Sequence, residues 1–385
     1  MTVAAVLLVY AACAGTAGAR MLGRAGWTAR APLLAIVTYL AAAWSVVAAL
    51  GLAGLTLAVH ATALGGGLSD LIGACVLRLR ATYATPGGAT VAGLGLTLAG
   101  AVVARTAVTA VTHLRAVRRQ ALRHAQTVRL VGHLDPALGA TLVDDSQPAA
   151  YCVAGPHPTV VLTTGALQVL GRDQIDAVLA HERAHLAGHH HRLLAIARIG
   201  RQVLPFIPLM RDTDTQIARL VELHADDTAT RASDPGSLAT ALVVLATAAP
   251  PTPPTPGPAL SAPAPVLGGA SAPVLGVAGA HRSPSGVAGR PGLVFGVADI
   301  SGSALGVAGV SGSAFGVLRA PGPALGAGAT DAVQRIHRLL GPAEPLGRVR
   351  RQLLRAGAAA LALTPVLLAL TPALVALALG RVPAA

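Results

Sequence analysis

Four long apolar stretches punctuate this chain. They run from Val3 to Ala19, from Pro32 to Val59, from Gly87 to Val111 with only Arg105 interrupting, and from Ala356 to Gly380. A helix needs about 20 apolar residues, within a range of roughly 17–25, to cross the hydrocarbon of a bilayer. Each stretch is therefore predicted to be a transmembrane helix, about 3–19, 32–59, 87–111 and 356–380. Pro365 and Pro372 do not count against the fourth, because membrane helices tolerate proline. The first stretch ends in Ala17-Gly18-Ala19, which resembles a signal-peptide cleavage site. A signal peptide carries its positive charge before the apolar run, whereas Arg20, Arg24 and Arg30 come after it, so a retained span is expected. A shorter apolar piece, Leu68 to Leu77, reads as re-entrant or interfacial.

Between the third and fourth stretches the pattern changes twice. Residues 112–248 have mixed polarity, as a folded α+β domain would. Thr127 to Val131 and Thr159 to Thr164 are β-branched runs and predict strands. Asp173 to His189 predicts a helix with Ile175, Val178, Leu179 and Leu186 as its apolar positions, and Thr215 to Arg231 predicts another. After Ala248 the chain is rich in Pro, Gly and Ala, and Gly276, Gly286, Gly296, Gly306, Gly316 and Gly326 recur every ten residues. Short periods can build solenoids, but this one has no polar and apolar ladder to form a shared core. Residues 249–330 are thus expected to be a low-complexity linker. Residues 331–355 regain an amphipathic, Arg-rich helical pattern leading into the last span.

Composition and charge sharpen this picture. Only 12% of the 385 residues are charged and 53% are hydrophobic, where a soluble domain carries about 25% charged residues. The net charge is +13, all of the basic side chains are Arg, and neither Lys nor Asn occurs. That bias suggests a GC-rich, bacterial coding sequence. Arg20, Arg24 and Arg30 lie between the first two spans, Arg115, Arg118, Arg119 and Arg123 follow the third, and Arg348, Arg350, Arg351 and Arg355 precede the fourth. Only Arg78 and Arg80 lie between the second and third. By the positive-inside rule the domain at 112–248 faces the cytoplasm of a multi-pass cell-membrane protein. The basic balance then reflects membrane topology, and direct nucleic-acid binding is not expected. Cys13, Cys75 and Cys152 form no CxxC pair and are read as free thiols.

The chemistry is concentrated in His181-Glu182-Arg183-Ala184-His185. Residues four apart share one helical face, so His181 and His185 can bind one metal ion. Glu182 stands beside them as a candidate general base. Zn²⁺, one per chain, suits two imidazoles, a carboxylate and an open position. Two third ligands are available. His191 completes the metzincin spacing H-E-x-x-H-x-x-G-x-x-H through Gly188, although three consecutive His would place one there by accident. Glu222, in Glu222-Leu223-His224-Ala225-Asp226, offers a carboxylate from the next helix, with Asp226 one turn on to orient a ligand imidazole. His189 and His190 read as solvated or near the metal, and His224 as a neighbour of Glu222.

The strings AVLAHERAHLAGHHH, AYCVAGPHPTVVLTTGAL and ELHADDTA resemble the BlaR/MecR-type integral membrane zinc metallopeptidases, in their short actinobacterial form, which are related to HtpX-type membrane proteases. The resemblance covers about residues 1–248 and 331–380. It implies an α-helical membrane protein with a cytoplasmic gluzincin-like α+β metalloprotease domain. It implies His181, His185 and Glu222 as metal ligands, Glu182 as the catalytic base and Asp226 as the supporting carboxylate. It further implies a protein substrate, plausibly a DNA-binding repressor of the penicillinase-repressor type. The chain ends shortly after its fourth span, so the penicillin-binding sensor domain of the full-length sensors is expected to be absent. HtpX-like quality-control proteolysis and a non-catalytic membrane adaptor are the alternatives.

Overall fold

The computed structural model describes residues 2–58, 88–155, 157–248, 325–341 and 345–378, all of which belong to one compact unit. The interfacial piece at Leu68 to Leu77 and nearly all of the ten-residue repeat lie outside the described residues. Four described helices are long and apolar enough to cross a membrane. Helix α1 is Thr2–Gly23, α2 is Pro32–Ala58, α3 is Gly88–Val131 and the last, α10, is Arg348–Ala378. Helices α2 and α3 meet where both lack side chains: a Cβ added at Gly54 would lie 2.6 Å from the Gly95 carbonyl oxygen. Small residues of this kind let membrane helices approach closely.

Helix α3 leads directly into a four-stranded sheet of β1 (Gly132–Asp135), β2 (Ala140–Val143), β3 (Ala150–Val153) and β4 (Thr159–Thr163). The strand order is β1-β2-β4-β3, antiparallel except for the parallel β2–β4 pair. Strand β3 is therefore an edge. The strand expected over Thr127 to Val131 is instead the last turns of α3. Thr127 satisfies its hydroxyl within the helix, donating to the Arg123 carbonyl, and Val128 buries against Val153 and Val161 of the sheet. Tertiary packing outweighs a β preference that amounts to tenths of a kcal/mol per residue.

Five helices follow. They are α4 (Thr164–Val169), α5 (Arg172–Ala187), α6 (His190–Val203), α7 (Pro208–Ala229) and α8 (Pro235–Ala248). The Gln174 side chain accepts from the Gly171 N–H and starts α5, while Ile175, Val178 and Leu179 pack against Val160, Leu162 and Leu245. Helix α7 rests on the membrane helix α2, with Ile217, Leu220 and Leu223 against Ile36 and Tyr39. Arg105, the charge within the third apolar stretch, has a structural partner. Its guanidinium donates to the Val203 and Gln202 carbonyls at 2.6 and 2.8 Å, capping the end of α6.

The single helix expected over 331–355 is two. Helix α9 (Leu325–Leu340) stops before Gly341, and α10 starts at Arg348. Pro342 and Pro345 lie between them, and a proline both lacks a donor and disfavours the helical conformation of the preceding residue.

Candidate metal centre

Helix α5 presents its motif inward. His181, Glu182 and His185 are all buried, on a helix whose remaining face fills the core. His181 Nε2 and His185 Nε2 are 3.1 Å apart. From α7, Glu222 brings Oε2 to 3.6 Å from His181 Nε2 and Oε1 to 3.6 Å from His185 Nε2. A tetrahedral zinc ion about 2.0–2.1 Å from each donor needs donor separations of about 3.4 Å. The two imidazoles and the carboxylate therefore fit one such ion, and they are the group of metal-ligating atoms that converges among the described residues. His191 lies apart, half-buried on α6 with its ring 6.2 Å from that of His189.

The surroundings fix these donors. Asp226, fully buried one turn beyond Glu222, sets Oδ1 3.0 Å from His181 Nδ1. With a metal held at Nε2, the remaining His181 hydrogen would sit on Nδ1, the atom that faces Asp226. Arg335, on α9, was not singled out in the sequence. Its Nε and Nη2 donate to the two oxygens of Asp226, and its Nη1 stands 3.0 Å from Glu222 Oε2. Arg338 donates through Nη2 to one oxygen of Asp227. The available signal was the spacing: two Arg three apart on an amphipathic helix match two adjacent Asp in the ELHADD string.

Charge states follow from burial and these partners. Burial pushes the Glu182 carboxyl up to about 7, against the pull of His181. Burial likewise opposes ionisation of Asp226 and Glu222, but the Arg335 guanidinium outweighs it and holds both well below the usual carboxylate range. Burial lowers His185 to about 4, so its imidazole is neutral, the form that binds metal. His181 is also desolvated, yet the carboxylates of Asp226 and Glu222 raise it to about 9 in the absence of a metal. From β3, the Cys152 thiol reaches the Glu182 carboxyl, and burial pushes that thiol well up. Cys13 and Cys152 are free, and Cys75 lies outside the described residues.

A chain that folds this centre onto membrane helices can be compared with known proteins. Residues 113–250 match the sequence profile of peptidase family M48. That stretch is similar to M48 peptidase domains. It contains every residue of the centre except Arg335. A "Protease HtpX homolog" of Ligilactobacillus salivarius (strain UCC118) is 36% identical over 72 residues, 18% of this chain and 24% of that protein. Another of the same description, from Limosilactobacillus fermentum, is 34% identical over 58 residues, 14% of this chain and 19% of that protein. A third, from Thermoanaerobacter pseudethanolicus, is 30% identical over 79 residues, 20% of this chain and 25% of that protein. The matched region thus spans at most about a quarter of the curated relatives' length. No solved structure matches the chain. Over these stretches the chain is similar to M48 peptidases and to proteases described as HtpX homologs.

Proposed function

We propose that this chain is a membrane-embedded zinc endopeptidase, with His181, His185 and Glu222 as the metal ligands and Glu182 as the general base. The observation that carries the reading is the convergence of two buried imidazole nitrogens and one carboxylate at 3.1–3.6 Å, with a second buried carboxyl beside them. A zinc ion held there would polarise a scissile carbonyl and lower the pKa of water to about 7.

The chain's own residues supply the rest. Asp226 orients His181, and Arg335 keeps Asp226 and Glu222 ionised. Glu182, whose carboxyl burial pushes up to about 7 in the absence of a metal, takes the proton of the attacking water and passes it to the leaving amine. Such general acid–base work suits a group whose pKa lies near the operating pH. Strand β3 is tied to this carboxyl through Cys152, and its unpaired edge can accept an extended peptide by β-augmentation. On this reading the site is of the gluzincin type, with a motif helix followed by a Glu-bearing helix.

The Arg distribution supports a cytoplasmic domain and hence a cytosolic or membrane-protein substrate. The curated relatives named above are described as protease HtpX homologs, which supports proteolysis; a quality-control role is the alternative that the HtpX likeness suggests. Cleavage of a DNA-binding repressor rests on the BlaR/MecR resemblance alone. The test is cleavage of an unfolded protein by the purified full chain with zinc, beside Glu182→Gln. Equal rates would sink the endopeptidase reading and leave the adaptor. Crosslinking Glu182→Gln to its bound proteins in cells separates a repressor from membrane-protein substrates.

A further inference from the structure

Helix α5 ends at Gly188, and the next residue, His189, takes a left-handed conformation with φ 50° and ψ 37°. It is the only non-glycine residue with positive φ among the described residues. A side chain disfavours that region, and such strain persists where the surroundings over-determine it. Its consequence is the placement of His190. The reversed chain begins α6 with the His190 ring folded back under the motif helix, 1% exposed. Gly188 makes the room: a Cβ there would lie 2.5 Å from His190 Nε2 and 2.7 Å from Cδ2.

Both nitrogens of this buried ring are engaged. His190 Nδ1 is 2.8 Å from His185 Nδ1, and His190 Nε2 is 2.9 Å from His224 Nδ1. The rings meet edge-on, at 89° to His185 and 67° to His224. His185 turns Nε2 towards His181 and Glu222, so a metal bound there leaves the His185 hydrogen on Nδ1. That hydrogen has one acceptor, His190 Nδ1. The His190 hydrogen then sits on Nε2 and is donated to His224 Nδ1.

We propose that His190 is the positioning residue of the second imidazole ligand, doing for His185 what Asp226 does for His181, and that His224 fixes the His190 tautomer. The inference rests on the metal reading above. Hydrogen-bond partners of ligating histidines fix ring orientation and tautomer, and losing one typically costs about 10–100-fold in metal affinity.

Three substitutions separate a hydrogen bond from mere filling of space. His190→Asn keeps a polar atom at the Nδ1 position, facing His185. His190→Gln keeps one at the Nε2 position, facing His224, and leaves the His185 hydrogen unpaired. His190→Leu removes both. The measurements are zinc affinity of the full-length protein by competition with a chromophoric chelator, and the visible spectrum of the cobalt(II) form. Expected is a loss of about 10–100-fold for His190→Gln and His190→Leu, with a shifted cobalt spectrum, while His190→Asn stays within a few-fold of the parent. Gly188→Ala, which displaces the ring, should behave like His190→Leu. Equal affinities for all variants, or equal losses in His190→Asn and His190→Gln, would overturn the proposal. If His190→Leu fails to fold, the Asn and Gln pair decides alone. Parent protein that binds no zinc would overturn the metal reading itself. Parent that binds zinc through Glu222 while the His190 variants bind it equally would remove only the relay.

Discussion

The Arg335 guanidinium grips Asp226 with two parallel bonds, Nε to Oδ2 at 2.8 Å and Nη2 to Oδ1 at 2.7 Å, across 109 residues of chain. The same guanidinium reaches Glu222, so one cation on α9 serves both carboxylates of α7. Removing one partner of a buried pair strands the other's charge, at about 3–5 kcal/mol. Arg335→Ala should therefore lower thermal stability and weaken zinc binding. Arg335→Lys keeps the charge but loses the planar fork, and should lose about 10–100-fold in zinc affinity. Chelator competition and thermal denaturation measure the two effects. Unchanged affinity in both variants would mean that α9 takes no part in the centre.

Glu182 touches no proposed ligand role, so metal binding and chemistry should come apart there. Glu182→Gln cannot take up a proton but nearly preserves shape. It is expected to retain stoichiometric zinc and to lose about 10²–10⁴-fold in hydrolysis, the usual contribution of a general base. Metal analysis and a peptide-cleavage assay on the same preparation check this. A variant that loses its zinc would make Glu182 a ligand rather than a base.

The choice between His191 and Glu222 has a direct readout. Glu222→Ala should lose most of the bound zinc, since its carboxylate faces both imidazoles at 3.6 Å. His191→Ala should keep one zinc per chain, because that ring lies beside His189. A strong chelator should abolish cleavage by the parent, with zinc restoring it. The reverse pattern, zinc lost only in His191→Ala, would favour the metzincin arrangement.

Local features were legible in the sequence, and distant ones were not. His181, Glu182 and His185 lie within one helical turn, where periodicity alone places them together. The four apolar stretches were equally plain, because hydrocarbon length sets a simple count. Glu222 and Asp226 required a relation between two helices, which residue spacing left open against His191. Arg335 was harder to find: its partner lies beyond a long low-complexity segment, and the three-residue spacing to Arg338 was its one signal among 29 basic residues. His190 was hidden differently. Among three consecutive histidines, the left-handed turn at His189 decides which one enters the core, and local propensity would not choose that conformation. The error at Thr127 to Val131 has the opposite origin, a local β preference overridden by a helix continuing out of the membrane.

The contact between α2 and α3 gives a prediction whose sign is informative. In a helix interior Gly→Ala ordinarily stabilises by about 1 kcal/mol. At Gly100, where a Cβ would meet nothing within 4 Å, Gly100→Ala should follow that expectation or be neutral. At Gly54 the added Cβ would lie 2.6 Å from the Gly95 carbonyl oxygen and 2.7 Å from the Ala99 nitrogen. Both obstacles are backbone, so the helices must separate, and overpacking of this kind costs about 1–3 kcal/mol. Gly54→Ala should therefore lower the melting temperature in detergent while Gly100→Ala does not. Melting at or above the parent temperature for Gly54→Ala would mean that the two helices do not cross at this point.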